Sequence, residues 1–109
     1  MKDLPAFRKV SRDFALSYIR EVLTSPAQPD HSHLIELIAY QDGHYRALFD
    51  PAYFVLAEGR REPSRSQWNS LKKKLKRHHR GVFVFKTHGE TTTRDGRRCY
   101  TIDFGFLAP

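Results

Sequence analysis

At 109 residues the chain has room for one core and little more, so a single compact domain over 1–109 is expected. An apolar content of 39% argues against wholesale disorder, and the longest apolar run, "AYFVLA" at 52–57, is far short of the roughly 20 residues of a membrane span. Net charge is +7, and the lone Cys99 precludes an intrachain disulfide, which points to a reducing, cytoplasmic setting and an anionic partner rather than a membrane.

From the N-terminus, Phe7, Val10, Phe14, Tyr18 and Val22 recur at helical spacing, with Ala15, Ile19 and Leu23 widening the stripe. Pro5 suits a helix start, and "TSPAQPDHS" stops it, so a helix over about 5–24, packed on more than one side, is expected. The N-terminal segment lacks the apolar run of a signal peptide.

"HLIELIAY" reads as a strand, apolar on both faces and therefore central; Asp42-Gly43 turns the chain into the returning strand "YRALF". After the Asp50-Pro51 break, "DPAYFVLAEG" reads as a third strand. Residues 64–81 form a second helix, opened by the capping pair Ser64 and Gln67 and closed by Gly81 as a left-handed cap. "VFVFKT" is the next strand, and a connection over 88–98 carries a second Asp-Gly pair at Asp95-Gly96. "RCYTIDFGFL" is the last strand, with Tyr100, Ile102, Phe104 and Phe106 on one face and Cys99, Thr101, Asp103 and Gly105 on a face expected to meet solvent. The order α-β-β-β-α-β-β predicts an α+β domain, a mainly antiparallel sheet with two packed helices.

Charge is segregated. Residues 1–59 carry a net −2, whereas residues 60–98 carry thirteen bases against three acids. On a helical wheel Trp68, Leu71 and Leu75 cluster, with His79 beside them, while Lys73, Lys76, Arg77 and Arg80 occupy the opposite arc. Ordinary solvated faces mix Lys with Glu. Here Lys72–Lys76, Lys73–Arg77 and Lys76–Arg80 are like-charge i,i+4 pairs, each costing about 0.2–0.5 kcal/mol until a polyanion relieves it.

Arg94, Arg97 and Arg98 bracket the second Asp-Gly turn, and Arg60, Arg61 and Arg65 precede the basic helix. The pattern points to phosphate-backbone contact with nucleic acid through the cationic helix and the basic hairpin loop. Whether DNA or RNA is bound stays open, since no RNP-like, GXXG or zinc-finger motif is present. A rival reading is a regulatory or adaptor protein whose basic face docks on an acidic protein partner.

Catalysis is not indicated. "IDFGF" contains Asp-Phe-Gly without any other kinase element, and six histidines lack a tight ligand pair for zinc. No cofactor is implied. A third reading, a small metal-independent ribonuclease using His79 or His88 beside Arg94, Arg97 and Arg98, lacks a motif that would fix a nucleophile–base pair.

Overall fold

The computed structural model describes residues 6–25, 28–87 and 90–108. The predicted roles of Pro5 and His88 fall outside them. The α+β architecture is as expected, with two helices on one antiparallel sheet.

The last strand organises the sheet. β6 (Arg98–Leu107) has β3 (Tyr45–Phe49) and the short β1 (Phe7–Arg8) along one side. β4 (Val82–Thr87) and β5 (Thr91–Thr92) run antiparallel to its other side, and β2 (Leu34–Ala39) pairs with the outer edge of β3. Tyr100, Ile102, Phe104 and Phe106 of β6 are buried under the helices. α1 (Arg12–Val22) contributes Ala15, Tyr18, Ile19 and Val22 to this core, and α2 (Arg65–His78) contributes Leu71 and Leu75. The Tyr18 hydroxyl donates to the Leu75 carbonyl at 2.7 Å and joins the two helices inside the core.

Several local expectations need correction. The first helix starts at its Ser11 cap, whose side chain accepts from Phe14 N–H, and not near residue 5. Phe7 and Arg8 instead pair with Leu107 and Phe106, because the end of β6 offers free backbone groups beyond β3. Phe14, placed on the buried stripe by spacing, is 42% exposed.

β2 lies at the sheet edge rather than the centre; only Leu37 of its side chains is buried. The third strand expected after Asp50 is a 3₁₀ turn over Pro51–Tyr53 followed by irregular chain. The Asp50 carboxylate accepts from Ala52 N–H at 2.9 Å, which caps that turn, and Pro51 suits its first position. Both Asp-Gly hairpins use three-residue loops in which glycine alone takes the left-handed conformation, Gly43 at φ +98° and Gly96 at φ +86°.

The second face of β6 does not meet solvent. Cys99, Thr101, Asp103 and Gly105 are buried beneath a second layer of side chains. Arg46 grips Asp103 through two hydrogen bonds, 2.7 and 2.9 Å, and the Phe7 ring lies on Gly105 where a Cβ would stand. A central strand is covered from both flanks, and period-two alternation does not by itself predict one wet face.

Candidate functional site

The cationic helix has well-defined ends. Ser64 Oγ accepts from Gln67 N–H at 3.2 Å while Gln67 Oε1 accepts from Ser64 N–H at 3.0 Å, completing the expected capping box. The Gln67 amide also donates to the Val55 carbonyl at 2.7 Å, which ties the helix start to the preceding irregular chain. At the other end the helix stops at His78, and His79, in extended conformation, is its cap.

Gly81 is not the left-handed terminator expected, since its φ is not positive. Its N–H donates to His79 Nδ1 at 3.1 Å. The chain leaves α2 through extended His79 because that ring wedges edge-on against Phe14, Tyr18 and Phe106.

Leu71 and Leu75 fasten the inner face of α2, with Trp68 half-buried against Phe54 and Tyr100. On the outer side Lys73, Lys76 and Arg77 are exposed, as is Arg80 in the turn beyond the helix. These four form no ion pair among the described residues. Because Arg80 has left the helix, the like-charge i,i+4 pairs are two, Lys72–Lys76 and Lys73–Arg77.

Lys74, outside the predicted footprint, occupies a distinctive position. Its ammonium donates to the Thr24 carbonyl at 3.0 Å and lies 5.7 Å from the Tyr53 ring centroid. Burial, and then the neighbouring Arg77, push its pKa below the ordinary lysine value, with Glu21 opposing.

The hairpin arginines differ among themselves. Arg97 pairs with Asp50 at 2.6 Å and Arg98 with Glu90 at 2.6 Å, whereas Arg94 is exposed in the turn without an ion pair among the described residues. Burial alone would raise the Asp50 carboxyl, but the Ala52 N–H and Arg97 outweigh it and hold the pKa below the usual range. Arg60 donates to the Glu62 carbonyl at 3.3 Å, while Arg61 and Arg65 are exposed.

These groups are strung out along the sheet. Trp68, in the first turns of α2, packs on Tyr100 near the hairpin base, and His79 beyond the other end packs on Phe106. Those two contacts are six positions apart along β6, about 20 Å. The hairpin arginines therefore lie toward the start of α2, and the Lys73–Arg80 cluster toward its end.

Beside that cluster runs an open groove of about 490 Å³ between α2 and the 53–55 segment. Tyr53, Phe54, Val55 and Leu71 line its apolar part, and Lys74 and Arg77 stand on its cationic side. Val55 is 76% exposed although it belongs to an apolar run. Reading that run as a strand hid the groove; the Asp50-Pro51 pair was the signal for a turn that breaks it.

No family model, curated protein or solved structure matches this chain. Among the described residues no helix is long and apolar enough to cross a membrane.

Proposed function

We propose that this chain is a small basic nucleic-acid-binding protein that acts in the cytoplasm and contacts the phosphate backbone chiefly through α2. The observation that carries the reading is the set of four exposed cations, Lys73, Lys76, Arg77 and Arg80, on and just beyond a helix whose other face is anchored in the core. None of them has a carboxylate neighbour of its own among the described residues.

A rigid cationic array suits a polyanion for a simple reason. Its side chains are already crowded by like charge, and phosphates relieve that crowding while releasing counterions. The hairpin is a secondary arm. Arg94 is available directly, and Arg98 can exchange its exposed Glu90 partner for phosphate, because such a surface pair contributes only about 0–1 kcal/mol, while Arg97 has the half-buried Asp50 to leave.

The experiment is a fluorescence-anisotropy titration of labelled DNA and RNA with the wild type and with Lys73→Glu/Arg77→Glu. Micromolar or tighter binding by the wild type, reduced at least tenfold in the variant, is expected. If the wild type binds neither polymer at low salt, the reading is wrong, and an acidic protein surface becomes the partner to seek.

A further inference from the structure

The groove beside α2 holds more than a phosphate footprint requires. A backbone-only binder needs exposed cations, which the outer face of the helix already presents. Here an apolar cleft opens next to them, walled by Tyr53, Val55 and Leu71, and its cationic side carries Lys74 and Arg77. Its 490 Å³ lies within the ordinary range for small-molecule sites, about 300–1,000 Å³.

Two features mark it as a built cleft rather than a packing accident. The Gln67–Val55 hydrogen bond ties the 53–55 wall to the start of α2, so that wall is fixed in place at one end of the cleft. Lys74 is fixed across its inner side by the Thr24 carbonyl and the Tyr53 ring, which keeps an ammonium within the apolar surroundings. Among the described residues no aspartate or glutamate lines the cleft; the acid that acts on Lys74 is Glu21.

The chemistry that matches is a flat, weakly polar group joined to an anion, with the anion at the helix and the flat group in the cleft. Phosphate alone leaves the exposed apolar wall at Val55 uncontacted, and an acidic peptide leaves the apolar walls unfilled unless its side chains are aromatic. A nucleotide whose base has left its stack supplies both parts. Bases in a duplex are stacked and paired, and withdrawing one carries a substantial cost, whereas a single strand offers its bases freely. We infer that the groove between α2 and residues 53–55 accepts an unstacked base of a single-stranded nucleic acid whose phosphates lie on Lys74, Arg77 and Lys73. This rests on the phosphate-binding reading of α2 and narrows it from nucleic acid in general to single strands.

The test compares two single strands of equal length and charge, oligo-dT and the same backbone carrying abasic sites throughout, by anisotropy on the full chain at fixed salt. A duplex of the same length is the third probe. The companion variant is Ser70→Leu. Ser70 lines the groove on an exposed position of α2, so an aliphatic side chain there obstructs the cleft without offering a ring to stack on and without altering charge or core. Circular dichroism checks that the variant is folded.

The wild type is expected to bind the base-bearing strand about tenfold tighter than the abasic one, the size of one base–protein contact. Ser70→Leu should abolish that difference while leaving the abasic strand and the duplex bound as before. Equal affinity of the wild type for the base-bearing and abasic strands overturns the groove inference and leaves the phosphate reading intact. So does a tenfold preference that survives in folded Ser70→Leu. Absence of binding to all three probes overturns both.

Discussion

At the scale of single residues, the groups that decide this structure are not the conspicuous cations. Gly105 sits mid-strand because the Phe7 ring occupies its side-chain position. Gly105→Ala should therefore force the N-terminal strand off the sheet. A loss of about 1–3 kcal/mol in urea unfolding is expected, the ordinary cost of overpacking. Asp103 makes a similar point. It lies 3% exposed on β6 and both its oxygens accept from Arg46, so Arg46→Met should cost about 2–3 kcal/mol by leaving a buried carboxylate without its donors.

His33 is buried with neither ring nitrogen hydrogen-bonded among the described residues. Burial, and then His31, lower its pKa beneath 6.5, with Asp50 opposing. The unfolded chain therefore takes up the proton first as pH falls. Stability from this site is complete above about pH 6.5 and is lost as the pH drops through the lower folded value. His33→Phe should lose less Tm than the wild type between pH 7 and pH 5; an identical fall in both would exclude His33 as the source. Sequence hinted at little of this, since the partners of Gly105, Asp103 and His33 come from other strands and turns.

At the scale of elements, α2 was the most legible part of the chain. Its capping box, anchor residues and exposed cations are local properties of a 3.6-residue period, and they appear where the spacing puts them. Its end was less legible, because packing of the His79 ring on Phe106, a contact from the last strand, sets the exit. The failures share that origin. β2 reads as central on its own composition, yet centrality belongs to β6, whose neighbours on both sides are fixed by pairing. "AYFVLA" reads as a strand, yet Asp50 and Pro51 turn it under α2.

Ser64→Ala removes the acceptor for Gln67 N–H and should lower stability by about 1 kcal/mol in thermal or urea unfolding. Lys73→Glu should have the opposite sign. It replaces the repulsive Lys73–Arg77 pair with an attractive one in the favourable order, worth about 0.4–1 kcal/mol in all. The helix dipole already offsets part of the crowding at Lys76 and Arg77, in the last turn, but not at Lys72 and Lys73 further in. A folded variant that is more stable yet binds worse would show that the charge at Lys73 serves a ligand and not the fold.

At the scale of the whole molecule, charge and architecture separate cleanly. The acidic-leaning first half supplies α1 and three strands of the sheet, and residues 60–98 supply the basic helix with the basic hairpin. The contacts of α2 with β6 run about 20 Å, from Tyr100 to Phe106, and the exposed basic groups follow that length as a strip. Such a strip suits an extended polymer better than a compact anion. The sequence disclosed the charge asymmetry in full and the strip not at all, because the spacing between its ends is a property of strand pairing.

The most direct measurement is the salt dependence of binding to single-stranded nucleic acid. If Lys73, Lys76, Arg77 and Arg80 each neutralise a phosphate, log K against log salt should fall with a slope of about −3, and Lys73→Glu/Arg77→Glu should flatten it toward about −1.5. A slope near zero, or one that the double substitution leaves unchanged, would contradict the assignment of α2 as a phosphate-binding surface.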